Sequence, residues 1–269
     1  MSNSPVIILG APRSGTNMLR DLLSQIEPIT TWDCDEINPI WKYNNYYKSD
    51  ELTQTDLNPN IKKFILNEFE KVRASGRIVL EKTCANTLRP DFVKSVVTDA
   101  RFIYIYRNGF DCAISAKKKS KRKFDFKYQL KKIRYAPIKS YPWIAYEKFF
   151  TDNWGPHYIG MNEDLKSLNK LQLLSKQWMK CNESCLAFVS KTSENIYQLN
   201  YDDLVKNPKG EFKLLLEYLK ISTNHINKVN FGNIYQTSIG NGENNLSLNE
   251  LNEISNFILD INRKLKINE

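Results

Sequence analysis

Four apolar residues in succession, Val6-Ile7-Ile8-Leu9, stand between Pro5 and Gly10. A short, largely β-branched run of this kind reads as a strand buried on both faces, as in a parallel sheet. The period then changes. Met18, Leu19, Leu22, Leu23 and Ile26 recur at helical spacing until Pro28 breaks the pattern, which predicts strand, glycine-containing loop and helix in that order. Arg77-Ile78-Val79-Leu80 and Phe102-Ile103-Tyr104-Ile105-Tyr106 read as further strands, the second followed by a helix with Ala113, Ile114 and Ala116, and Ile196-Tyr197-Gln198-Leu199 as a fourth.

Three helical stripes complete the pattern. One runs through Leu174, Trp178, Cys181, Cys185 and Phe188 within residues 171–189, and another through Phe212, Leu215, Leu216 and Leu219. The last opens on Ser247-x-x-Glu250, the spacing of a capping box, and continues through Leu251, Ile254, Phe257, Ile258 and Ile261 towards Leu265. Helices alternating with short apolar strands predict an α/β fold with a central, mainly parallel sheet flanked by helices. In such a sheet ligands sit at the carboxyl ends of the strands. Residues 124–161 follow neither period. They hold Tyr135, Tyr141, Trp143, Tyr146, Phe149, Phe150, Trp154 and Tyr158, too many aromatic side chains for a free linker. The expectation is one domain over residues 1–269, with a folded insertion at about 117–161.

Composition narrows the class. With 269 residues, 41% hydrophobic and 26% charged, the chain can bury a substantial core, which excludes a disordered, collagenous or disulfide-stapled protein. Nothing approaches the roughly 20 apolar residues of a membrane helix, and Met1-Ser2-Asn3-Ser4-Pro5 has neither a basic nor an apolar signal region. A cytoplasmic protein without a transmembrane segment is expected. Cys34, Cys84, Cys112, Cys181 and Cys185 are odd in number and irregular in spacing, as suits reduced thiols. His157 and His225 are the only imidazoles, and Cys181 and Cys185 have no second pair beside them, so no metal site is expected.

Charge is uneven. The net +9 is concentrated between Lys117 and Lys148, where twelve Lys or Arg face two acids, Asp125 and Glu147, leaving about -1 for the rest. Such a segment is either a solvated face or an attractor of polyanionic ligands.

Gly10-Ala11-Pro12-Arg13-Ser14-Gly15-Thr16-Asn17 lies between the first strand and the first helix, where backbone N–H groups and the helix dipole favour a phosphate. Gly10 and Gly15 have the separation of a Walker A loop, but Thr16 stands where that loop requires lysine, and Asn17 breaks its hydroxyl pattern. The cation is Arg13, within the loop.

These residues resemble the sulfotransferases that use 3'-phosphoadenosine 5'-phosphosulfate (PAPS). Pro12-Arg13-Ser14-Gly15-Thr16 is similar to the family's 5'-phosphosulfate loop, and Tyr104 to Ser115 to its 3'-phosphate motif, with Arg107 ending a strand and Ser115 eight residues on. Glu81-Lys82-Thr83-Cys84-Ala85-Asn86 resembles the E-K-T-P-x-N element of the bacterial and tyrosylprotein types, with Cys84 replacing proline. Asn200-Tyr201-Asp202-Asp203-Leu204 resembles an R-Y-E-D-L segment whose tyrosine serves the adenine nucleotide, and Ser238-Ile239-Gly240 a late loop closing over the cofactor.

The resemblance implies a P-loop NTPase-like three-layer fold and PAPS as sulfate donor, without a metal. It implies donor binding by Arg13, Ser14, Gly15, Thr16, Asn17, Arg107, Ser115, Tyr201 and Ser238. Transfer needs cations beside the departing oxygen, for which Arg13 and Lys82 are the candidates, and a general base. Neither histidine follows a predicted core strand, whereas Asp33-Cys34-Asp35-Glu36 lies just after the first strand–helix unit. Relatives use a glutamate in a comparable place, so Glu36 is expected to be the base, with Asp35 as its rival. The acceptor is expected to be a small-molecule or glycan hydroxyl, a carbohydrate or glycolipid, with no nucleic-acid partner. Two other readings stay open: a P-loop nucleotide kinase or NTPase, which would turn over ATP with Mg, and a polyanion-binding module using Lys117 to Lys132, which would bind with steep salt dependence.

Overall fold

The computed structural model describes residues 3–73, 76–120, 126–150, 154–192, 196–232, 234 and 238–267. Five strands, β1 (Val6–Leu9), β2 (Ile29–Thr30), β3 (Ile78–Lys82), β4 (Arg101–Tyr106) and β5 (Ile196–Asn200), form one sheet in the order β2-β3-β1-β4-β5. Every pairing is parallel, with Val6 opposite both Leu80 and Arg101, and Tyr106 opposite Asn200. Parallel neighbours require helical crossovers. In chain order the helices are α1 (Thr16–Leu23), α2 (Asn38–Trp41), α3 (Pro59–Val72), α4 (Pro90–Val96), α5 (Gly109–Ser120), α6 (Phe126–Tyr135) and α7 (Tyr141–Phe150). They continue as α8 (Met161–Ser167), α9 (Lys170–Lys191), α10 (Tyr201–Lys206), α11 (Pro208–Tyr218), α12 (Asn241–Asn245) and α13 (Leu248–Lys264).

The two-residue period of the strands divides the core. Ile7, Leu9, Val79, Phe102 and Tyr104 pack to one side with Trp41, Phe92, Trp178, Phe188, Ile254 and Ile258. Val6, Ile8, Leu80, Ile103 and Ile105 pack to the other with Leu19, Leu22, Leu23, Leu204, Phe212 and Leu215. Both faces are therefore covered by helices, which is why the strands read as unbroken apolar runs rather than alternating ones.

Three features differ from the sequence reading. The edge strand β2 is too short to leave a pattern. Helix α3 fully buries only Ile61, Ile65 and Phe69, with Phe64, Leu66 and Val72 partly buried beside them; Asn58 caps it by accepting from the N–H groups of Asn60 and Ile61. The insertion, read as irregular, forms α6 and α7 joined by a 3-10 turn at Ile138–Ser140. Its aromatic residues do not fall on one inward stripe, and that hid the helices. Residues 121–125 and 151–153 of the insertion lie outside the described residues. Among the described residues no helix is long and apolar enough to cross a membrane.

Candidate active site

The carboxyl ends of β1, β3 and β4 lead into one cluster of loops. At Gly10 a Cβ would lie 2.6 Å from Thr16 Cγ2 and 2.7 Å from the Ile105 carbonyl, so the chain turns tightly against β4. Arg13 and Gly15 both take left-handed backbone conformations, with φ of 73° and 92°. A side chain at Gly15 would meet the Tyr201 ring at 2.4 Å. The turn ends in α1, whose first turn has no acidic residue, leaving the positive end of its dipole uncompensated. Ser14 Oγ and Thr16 Oγ1 each lie 3.6 Å from a thiol, those of Cys112 and Cys84, which are weak partners for a hydroxyl.

Arg107, just beyond β4, is 6% exposed. Its guanidinium lies 4.3 Å from the Tyr201 ring centroid and donates from Nη1 to the Arg13 carbonyl at 3.3 Å. Its Nη2 donates to the Ser238 carbonyl and to Asp111 Oδ2, the latter at 3.4 Å. Its Nε is buried with no hydrogen-bond partner among the described residues, an arrangement that fits a further anionic ligand. Arg13 Nε donates to Ser115 Oγ at 3.0 Å, and the Tyr201 and Ser238 hydroxyls are 2.7 Å apart. The first loop, the Arg107–Ser115 motif, Tyr201 and the late loop thus meet in space.

Asp111 was not singled out from the sequence, although it sits inside the Arg107–Ser115 segment. Its carboxylate accepts from Gly240 N at 3.0 Å and Gly242 N at 2.6 Å, besides Arg107. A Cβ at Gly242 would lie 2.2 Å from the Phe110 carbonyl carbon. Asp111 and this close approach together pin the late loop to α5.

A second group lies beside the first. Lys82, at the end of β3, places Nζ 3.2 Å from Glu36 Oε1 and 4.0 Å from Asp35 Oδ2. The Cys84 N–H donates to Glu36 Oε1 at 3.4 Å. Lys132, on α6, stands 3.5 Å from both Asp35 Oδ1 and Glu36 Oε2. Burial alone would raise the Glu36 pKa, but Lys82, Lys132 and the Cys84 thiol outweigh it and hold the carboxyl well below the usual range. Burial would likewise depress both lysines, and the carboxylates instead raise them. Asn17 Nδ2 reaches Asp35 Oδ2 at 3.4 Å, and with the Thr16–Cys84 contact this joins the two groups into one site.

Lys132 could be read from sequence only as part of a charged run. Part of that run's excess meets acids elsewhere: Lys117 pairs with Glu250 at 2.5 Å, Lys132 with Asp35 and Glu36, and Arg134 with Asp33 at 4.0 Å. His157 Nε2 lies 3.1 Å from Asn162 Oδ1, and His225 sits in a 3-10 turn at Thr223–Lys228.

Beneath the site, Glu81 is fully buried and accepts from Asn86 Nδ2 at 2.9 Å. Burial pushes its pKa up to about 7. Asn86 in turn accepts from Arg89 Nε at 2.9 Å, and Arg89 reaches Asp50 at 3.4 Å and Asn38. The Glu81-to-Asn86 element is thereby a buried polar brace between β3 and α2. Among the described residues, no group of His, Cys, Asp and Glu is placed to hold a metal ion.

A family model described as "Sulfotransferase family" matches residues 5–141, about half the chain. No curated protein matches the sequence. Among solved structures, a sulfotransferase from Alicyclobacillus acidocaldarius shares 15% identity over 99% of this chain and 95% of its own, with a TM-score of 0.57. The sulfotransferase domain from the curacin biosynthetic pathway shares 14% over 98% and 97%, with a TM-score of 0.56. Mouse sulfotransferase SULT7A1, complexed with PAP, shares 14% over 98% and 86%, with a TM-score of 0.51. At these identities the likeness is one of fold.

Proposed function

Because the chain belongs to the sulfotransferase family, we propose that it takes the sulfuryl group from PAPS and transfers it to the hydroxyl of a carbohydrate or glycolipid, with Glu36 as general base. The observation that carries this reading is the buried Arg107, stacked on Tyr201, linked to the Arg13 and Ser238 carbonyls, and with an Nε that has no hydrogen-bond partner among the described residues. When bound, PAPS supplies an activated sulfuryl group whose bond to the 5'-phosphate oxygen breaks as the acceptor oxygen–sulfur bond forms. Arg107 and Ser115 would hold the 3'-phosphate by charge-assisted hydrogen bonds, and Tyr201 would lie against the adenosine. Ser14 and Thr16 would exchange weak thiol contacts for phosphosulfate oxygens, with the Gly15 and α1 amides and Arg13 beside them.

Lys82 pairs with Glu36 and Asp35. Turned towards the departing oxygen it would favour the transition state through charge. In doing so it would loosen its hold on Glu36 Oε1, making the carboxylate a stronger base as the acceptor hydroxyl gives up its proton. Asp35, 4.0 Å from Lys82 and bound by Asn17 and Lys132, would orient the lysines. Five buried, unpaired cysteines suit a reducing compartment, so action in the cytoplasm is part of the reading. Release of PAP from PAPS, measured against a panel of neutral and anionic glycans and glycolipids, tests it. PAP release that depends on one acceptor supports the reading, and no release with any of them, together with no binding of PAP, contradicts it.

A further inference from the structure

Trp143 fixes which way α7 faces. It is 8% exposed, stacks on Tyr46 with ring centroids 5.9 Å apart, and has Lys42 Nζ 4.9 Å from its ring centroid. The side turned away carries Ile138, Tyr141, Pro142, Ala145 and Tyr146, all exposed, with Ile138 at 80%, Tyr141 at 43% and Tyr146 at 50%. Positions 138 and 141 eclipse across the 3-10 turn, and 141, 142, 145 and 146 share one side of the helix that follows. An outward helix face is normally polar. Among the described residues this one has no charged side chain.

Charge surrounds it. Residues 126–147 contain five Lys or Arg against one acid, Glu147, and Lys131, Arg134 and Lys139 are exposed on α6 and in the turn between the two helices. A second copy of the chain would bring the same positive charge to the contact, which disfavours self-association there. An apolar stripe with tyrosines, rimmed by long cations, is the composition of a segment that lies in the interface of an anionic bilayer. The same insertion forms a wall of the active site. Lys132, between Lys131 and Arg134, bridges Asp35 and Glu36, and Tyr135 donates to Asp33 Oδ2 at 3.0 Å.

We infer that the α6–α7 insertion docks the protein on an anionic lipid surface through Ile138, Tyr141 and Tyr146, with Lys131, Arg134 and Lys139 meeting the headgroups. The acceptor is then a hydroxyl borne by a membrane lipid, presented to Glu36 from the docked side; this last step rests on the sulfotransferase reading, while the docking does not.

The test is co-sedimentation with vesicles of phosphatidylcholine alone and of phosphatidylcholine with about 30% phosphatidylglycerol, at about 100 mM salt. Expected is binding to the anionic vesicles at least about tenfold tighter than to the neutral ones, weakened by added salt. The double variant Ile138→Asp, Tyr146→Asp should lose at least about tenfold of it, with PAP affinity by calorimetry unchanged as the check that the fold is intact. Equal binding to both vesicle types, no binding, or full binding by the double variant would overturn the inference. So would a concentration-dependent dimer that the same variant dissolves, since a second copy would then own the face. Loss of vesicle binding with PAP binding intact removes this inference alone, whereas failure to bind PAP removes the functional reading.

Discussion

Glutamine at position 81 should stabilise the protein at neutral and alkaline pH and have little effect in acid. Glu81 is fully buried, with Oε2 accepting from Asn86. Burial pushes its pKa from 4.5 up to about 7, so the folded state binds this proton more tightly than the unfolded chain does. The stability it contributes is complete below about pH 4.5 and is lost as pH rises through about 7. A rise of that size corresponds to about 3 kcal/mol between the two limits, most of it falling between about pH 5 and 8. Glu81→Gln cannot ionise, so its stability relative to wild type should climb by about 2 kcal/mol or more across that interval. Urea unfolding of both proteins at the two pH values, followed by tryptophan fluorescence, measures the difference while other titrating groups cancel. A difference that is the same at both pH values would show Glu81 ionised throughout and the burial argument mistaken.

Other substitutions separate the parts of the site. Glu36→Gln should lower sulfuryl transfer by about 100- to 10,000-fold while PAP binds within about threefold of wild type by calorimetry; unchanged turnover would remove Glu36 as the base. Arg107→Met should weaken PAP by about 30-fold or more and leave AMP, which lacks the 3'-phosphate, nearly unaffected, whereas equal loss for both would point to general unfolding of the loop. Gly15→Ala places a Cβ 2.4 Å from the Tyr201 ring on a backbone at φ 92°, so PAP affinity should fall by about tenfold or more, and retained affinity would mean that the loop rearranges freely.

The parts of the fold that the sequence made legible are those where one residue pattern has one structural meaning. Val6–Leu9 is buried on both faces and reads as such, Phe102–Tyr106 reads as a strand, and Ser247 with Glu250 forms the expected capping box of α13. The loops around Arg13 and Arg107 were legible as strand-end segments for the same reason, since Gly10 to Asn17 and Arg107 to Ser115 are continuous in the chain and follow β1 and β4. Interactions between distant segments were not. Asp111 gains its role only when Gly240 and Gly242 arrive from about 130 residues away, and Lys132 acquires Asp35 and Glu36 only once α6 folds back over the site. The insertion misled because its apolar residues are split between the two sides: Trp143 faces inward, whereas Ile138, Tyr141 and Tyr146 face outward, against the assumption that apolar means inward.

On the proposed function, the loops around Arg13 and Arg107 form a 3',5'-bisphosphate site. Calorimetric titration with adenosine 3',5'-bisphosphate, beside ATP with Mg, at physiological salt tests it most directly. The structure predicts tight binding of the bisphosphate without Mg and much weaker binding of ATP. No binding of the bisphosphate, or tighter binding of Mg-ATP, would contradict it and return the nucleotide-hydrolysing reading to the front.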